Sequence, residues 1–131
     1  DTILVNNTAL AGHVEVGDWA ILSGYTLVHQ FCKIGAHSFS GMGTSIGKDV
    51  PAYITVAGSP AEAKTINIEG LRRRGFDSAE ISTLRRAFKI LYRQGLTLDV
   101  AVERLQAMAP ETPSLQPLID SLMQSQRGIV R

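Results

Sequence analysis

The chain has 131 residues, 44% of them hydrophobic and 19% charged, with a formal net charge of +1. These are globular values for one ordinary domain, with two subdomains as the weaker alternative. No apolar run is long enough to cross a membrane, and a single cysteine excludes an intrachain disulfide or a redox pair. No signal peptide is visible; the chain opens on Asp1 rather than Met, so a preceding segment is expected.

From Thr2 to Asp49 the sequence repeats every six residues. One slot holds Leu4, Leu10, Val16, Leu22, Val28, Ile34, Ser40 and Ile46, aliphatic in seven of eight cases. Two residues earlier lies a slot never larger than valine: Thr2, Thr8, Val14, Ala20, Thr26, Cys32, Ser38 and Thr44. A period of six fits neither one helical face nor strand alternation. It predicts a parallel β-helix of hexapeptides, in which each hexad gives a short strand and a turn and three hexads close a triangular coil. The aliphatic slot fills the interior, and the small slot leaves room at the crowded corner. Cys32 sits in a small inward slot and reads as a buried packing thiol, which fits a reducing compartment. The repeat is in phase from Thr2, so the sequence reads as starting within a solenoid. It breaks at Val50-Pro51, where proline has no amide for a sheet and the ladder is expected to end or bulge. An exit turn follows at Val56-Ala57-Gly58-Ser59-Pro60-Ala61.

The period then becomes helical. Asn67 to Arg74 reads as a short helix ended by Gly75. Asp77 or Ser78 can cap the next, with Glu80 placed to return a bond to the cap. Its apolar stripe is Ile81, Leu84, Ala87, Phe88, Leu91 and Tyr92, and Gly95 closes it. A third helix starts at Thr97 or Asp99 and stops at Pro110. A fourth starts at Ser114 and ends near Gly128. The expected architecture is a β-solenoid with its exit loop over residues 1–61 and an α-helical domain over 62–131.

Charge is unevenly spread. Residues 1–63 net −3, residues 64–93 net +5 and residues 94–131 net −1. The middle block should face an anion or an acidic partner; Arg85, Arg86, Lys89 and Arg93 also suit a solvated helix face. Nucleic acid is not expected, because no aromatic platform interleaves Arg72–Arg74.

Three stretches carry a resemblance: Asn6-Asn7-Thr8-Ala9-Leu10-Ala11-Gly12-His13-Val14, then Val28-His29-Gln30-Phe31, then Asn67-Ile68-Glu69-Gly70-Leu71-Arg72-Arg73-Arg74-Gly75-Phe76. Together they closely resemble the UDP-N-acetylglucosamine O-acyltransferases that begin lipid A synthesis, over the whole chain. The resemblance implies a left-handed β-helix, a cytoplasmic homotrimer with active sites between subunits, and no cofactor beyond the phosphopantetheine of acyl carrier protein. The implied reaction moves a 3-hydroxyacyl group from acyl carrier protein to the glucosamine 3-hydroxyl of UDP-N-acetylglucosamine. It needs a base for the sugar hydroxyl, a donor for the oxyanion and a grip on the diphosphate.

The resemblance carries Gly12 over as the backbone oxyanion donor and His13 as an active-site histidine contacting the sugar nucleotide. His29 and Gln30 carry over as cleft residues, Asn67 and Glu69 as readers of the uridine side, and Arg73 and Arg74 as contacts to the diphosphate or to phosphopantetheine. Met42 falls at the floor of the acyl groove, where its bulk implies a shorter 3-hydroxyacyl chain than glycine-bearing relatives take. The family's catalytic histidine belongs to a motif expected before Asp1, so this chain should lack the general base, and by itself be inactive. The basic helix at 78–93 is the expected docking face for acyl carrier protein. His37 has no motif support and reads as an ordinary surface or interface histidine. Trp19 and Phe31 read as packing or trimer-interface residues, and Asn7 as a turn asparagine.

Two other classes are weighed. A γ-type carbonic anhydrase would need histidine ligands in register, but His13, His29 and His37 are 16 and 8 residues apart, out of step with an 18-residue coil. A non-catalytic trimeric scaffold that binds the sugar nucleotide and the acyl carrier is the alternative function.

Overall fold

The computed structural model describes residues 2–5, 8–126 and 128–131; Asn6 and Asn7 of the first motif lie outside the described residues. Each hexad gives a two-residue strand: β1 Ile3–Leu4, β2 Ala9–Leu10, β3 Glu15–Val16, β4 Ile21–Leu22, β5 Leu27–Val28, β6 Lys33–Ile34, β7 Phe39–Ser40 and β8 Ser45–Ile46. They wind into a left-handed parallel β-helix. Its first face stacks β1, β4 and β7, its second β2, β5 and β8, and its third β3 and β6. The aliphatic slots lie in vertical register: Leu4, Leu22 and Ser40; Leu10, Val28 and Ile46; Val16 and Ile34.

The inward slots of the covered coils are sealed, with Leu22, Val28, Cys32, Ser40 and Ile46 at most 1% exposed. Ser40 is tolerated among them because its hydroxyl pairs with that of Thr26 at 2.9 Å, and a buried hydroxyl needs such a partner. Leu4 and Leu10 are exposed, because the described residues cover their coil from one side only.

The corners have their own repeat. The third residue after six of the eight slots takes a left-handed backbone: His13, Trp19, Tyr25, Phe31, His37 and Gly43 all lie at φ between 59° and 71°. This region costs an L-residue about 1–2 kcal/mol. The corners stack in three columns, each held by a bond from a corner N–H to the coil above. Phe31 N–H donates to Gly12 O, His37 N–H to Asp18 O, Tyr53 N–H to Ala36 O and Gly43 N–H to Gly24 O. The columns are therefore His13 and Phe31; Trp19, His37 and Tyr53; and Tyr25 and Gly43.

The ladder does not end at Pro51. The last coil is shortened instead: Ile34 bridges to Val50 and Ser40 pairs with Val56, a step of 16 residues against the 18 of Ile3 to Ile21. The shortening leaves Pro51 between the two pairings, where no amide is required of it. β9, Ile54–Ala57, continues the first face, and β10, Glu62–Ile66, returns antiparallel beside it. Residues 62–66 are thus strand, and the helical half begins at Ile68, later than the expected boundary. The polar composition of β10 hid it, and pairing with the free edge of β9 makes it a strand.

All three faces are closed at this end. β10 covers the first. Gly58 and Ala61 cover the second, by Ser45 N–H to Gly58 O and Ala61 N–H to Ser45 O. Residues 128–130 cover the third, by Asp49 N–H to Gly128 O and Val130 N–H to Asp49 O.

The helices are α1 Ile68–Arg73, α2 Ser78–Tyr92, α3 Leu98–Met108 and α4 Gln116–Gln124. Asp77 caps α2 in a full capping box with Glu80, and Thr97 caps α3. α4 is preceded by a 3-10 turn at Pro113–Leu115 and lacks a side-chain cap. It stops at Gln124, short of the expected Gly128, because the following residues go to close the third face. Leu71, Leu84, Leu91, Leu105, Leu118 and Leu122 join the solenoid interior in one core. Tyr53 O–H to Ser114 O (2.8 Å) and Ala52 N–H to Ser121 Oγ (3.1 Å) tie the two halves together.

Candidate active site

α1 lies across the outer surface of the first face. Between them is a cavity of about 430 Å³. Its floor comes from the outward positions of three successive coils, Ile21, Phe39 and Thr55, and its wall carries Asn67, Glu69 and Arg73. The cavity therefore joins an apolar flat floor to a carboxylate and a guanidinium.

The Asn67 carboxamide is engaged in holding α1. Its oxygen accepts from Gly70 N–H at 3.2 Å and its nitrogen donates to His37 O at 3.0 Å. A Cβ at residue 70 would come 2.3 Å from that nitrogen, so a larger residue would displace the Asn67 carboxamide. Arg74, next to Arg73, leaves the cavity: its guanidinium carbon lies 4.0 Å from the centre of the Trp19 ring.

The other expected site residues stand on different parts of the solenoid. His13 is exposed and its ring stacks on Phe31, centroids 5.2 Å apart and planes 13° from parallel. It borders a second cavity of about 480 Å³ with Glu15, Lys33 and Asp49. His29 is exposed beside Ser45, Nε2 to Oγ 3.5 Å, and Gln30 is exposed in the turn that follows. A Cβ on Gly12 would meet nothing within 4 Å, so space for a close ligand exists there. Met42 is 78% exposed at the third corner column. In one chain, then, Asn67, Glu69 and Arg73 share a cleft, whereas His13, His29, Gln30 and Met42 do not join them.

His37 is not a freely exposed surface residue. It is half-buried, stacked on Tyr53 at 5.5 Å and met edge-on by Phe76 at 5.3 Å. Burial, with the Arg74 charge, holds its pKa below the ordinary 6.5, and Asp18 acts in the opposite sense. Sequence reasoning also missed Ile21, Phe39 and Thr55. The signal was present, since they occupy equivalent outward positions of successive coils. Among the described residues no group of three metal-ligating side chains assembles.

A hexapeptide β-helix closed by a small helical bundle, with one of its helices laid over an outer face, is the architecture of the hexapeptide-repeat acyltransferases. Residues 49–130 match the family model described as Udp N-acetylglucosamine O-acyltransferase, Domain 2, and the chain belongs to that family. It is 65% identical over 129 residues, 98% of its length, to the acyl-[acyl-carrier-protein]–UDP-N-acetylglucosamine O-acyltransferase of Pseudomonas entomophila, and covers 50% of that protein. Among solved structures it is similar to UDP-N-acetylglucosamine O-acyltransferase from Moraxella catarrhalis, with TM-score 0.97, 41% identity, and 99% and 51% of the two chains covered. The Acinetobacter baumannii counterpart gives TM-score 0.96 at 47% identity, with the same coverage. The chain spans about half the length of the relatives it matches.

Proposed function

We propose that this chain forms the nucleotide-binding and carrier-docking half of an enzyme that transfers a 3-hydroxyacyl group from acyl carrier protein to UDP-N-acetylglucosamine, the first step of lipid A synthesis. The carrying observation is the cleft under α1, where Glu69 and Arg73 stand over a flat apolar floor. A nucleoside diphosphate needs such a surface: a platform for the base, an acceptor for its N–H groups or sugar hydroxyls, and a cation for phosphate.

In the reaction the sugar 3-hydroxyl oxygen attacks the thioester carbonyl carbon, the C–S bond breaks, and the hydroxyl proton passes through a base to the departing thiolate. Gly12 N–H is read as the oxyanion donor. The base is read as a histidine that these residues do not supply. His13, His29 and Gln30 complete the sugar and acyl side, with Met42 bounding the acyl chain. Because these residues stand apart from the α1 cleft, the site is read as assembled between copies in a homotrimer. Exposed Tyr25, Leu27 and Phe31 give that interface its apolar surface. The enzyme is read as cytoplasmic and needing no cofactor of its own. No described helix is long and apolar enough to cross a membrane.

Calorimetric titration with UDP-N-acetylglucosamine tests the reading. Arg73→Ala should weaken binding about tenfold, the size of one charge-assisted hydrogen bond. In an acyl-transfer assay of the complete enzyme, Met42→Gly should shift preference to longer 3-hydroxyacyl donors. Undiminished binding in Arg73→Ala would remove the nucleotide reading of the cleft. Sugar-nucleotide binding by an assembled trimer that never turns over would favour the scaffold alternative.

A further inference from the structure

The second corner column does more than turn the chain. Trp19, His37 and Tyr53 stand one above another, and α1 is moored to them along its whole length. At its start, Asn67 N–H donates to Tyr53 O at 2.7 Å, and the Asn67 side chain donates to His37 O. Just past its end, Phe76 meets the rings of both His37 and Tyr53 edge-on. Between these moorings Arg74 caps the helix and places its guanidinium over the Trp19 ring. Arg73 enters the α1 cleft while Arg74 is held outside it, so the two arginines flank the same edge of the helix.

An exposed arginine ordinarily samples many rotamers, and a ligand that needs one of them bears the cost of selecting it. An indole face at 4.0 Å restricts that choice while leaving the five N–H donors at the guanidinium's edge free to meet an anion. Trp19 sits at a left-handed corner, φ 63°, and is 39% exposed. It is therefore a surface platform rather than a core residue.

We propose that Trp19 is a positioning residue for Arg74, holding the guanidinium ready for a phosphate-bearing ligand at the α1 edge. This rests on the reading of Arg74 as a phosphate contact. The ligand class is a phosphate ester, available either as the diphosphate of a sugar nucleotide or as the phosphate of a pantetheine arm. Both would present an anion to the same side chain, and separate titrations tell them apart.

The whole 131-residue chain is titrated with UDP-N-acetylglucosamine and, separately, with 4′-phosphopantetheine. Four variants are compared with the parent: Trp19→Ala, Trp19→Phe, Arg74→Gln, and Trp19→Ala combined with Arg74→Gln. Trp19→Ala should weaken binding of one of the two ligands about two- to fivefold, the range open to an exposed cation–π contact. Trp19→Phe should restore most of it. In the Arg74→Gln background, Trp19→Ala should cost nothing more, because its effect runs through Arg74. Trp19 is the only tryptophan of the chain, so intrinsic fluorescence reads this contact directly. Arg74→Gln should change the emission, as should the ligand that engages Arg74.

Undiminished binding in Trp19→Ala, with Arg74→Gln impaired, would overturn the proposal. So would losses that simply add in the combined variant, which would mean that Trp19 meets the ligand or acts only on the fold. Undiminished binding of both ligands in Arg74→Gln would overturn the reading of Arg74 itself and the proposal with it.

Discussion

His37 packs between the rings of Tyr53 and Phe76 with the Arg74 charge nearby, and the neutral imidazole is the form this setting favours. Its pKa is lowered on folding, so the unfolded chain binds the proton more readily. The stability it contributes is full above the unfolded value of 6.5 and is lost as pH falls from there toward the folded value. The melting temperature should therefore decline on acidification below about pH 6.5, and His37→Phe, which keeps an aromatic ring and removes the titration, should flatten that decline. A slope identical in His37→Phe would show that other groups set it. The hexad made the inward residues legible. The corner residues escaped because the left-handed region suggests glycine or asparagine, whereas here it holds His, Trp, Tyr and Phe. The rings recover part of the strain by stacking on the next coil in columns, an interaction between residues 16 or 18 apart that local propensity does not report.

At the scale of elements, coil stacking sets hard limits on two glycines. A Cβ on Gly35 would lie 2.3 Å from the backbone nitrogen of Ala52, and one on Gly17 would lie 2.6 Å from that of Ala36. Neither neighbour is a flexible side chain that could move aside. Gly35→Ala should therefore cost about 1–3 kcal/mol or more through forced separation of coils, roughly 4 °C of melting temperature per kcal/mol for a domain of this size. Gly12→Ala, whose Cβ meets nothing, should leave the melting temperature unchanged. Equal effects in the two variants would sink the stacking argument. The helices were legible from their caps, Asp77 with Glu80 and Thr97, because capping chemistry is local. The short last coil and β10 were not. Dropping two residues keeps the interior apolar but breaks the period, and β10 is defined by the edge it covers rather than by its own residues.

For the molecule as a whole, the +5 block of residues 64–93 becomes a surface. Lys64, Arg85, Lys89 and Arg93 rim a groove of about 510 Å³ between β10 and α2, with Phe88 lining it, and Arg86 is exposed on the same helix. Complementary charge acts chiefly on encounter rate and is screened by salt. Replacing Arg85 and Arg86 by Glu should slow association with an acidic acyl carrier protein at least tenfold at low ionic strength, with the difference shrinking as salt rises. An unchanged association rate would remove α2 as the docking face. The closure of all three faces at the end of the solenoid has a separate consequence. A parallel sheet edge is a template on which another chain can polymerise, and a fibre built along the coil axis must present a template at both ends of every unit. β10, the Gly58–Ala61 loop and residues 128–130 occupy all three templates at one end. Whatever stacks on the opposite end, this closure opposes axial polymerisation through this one.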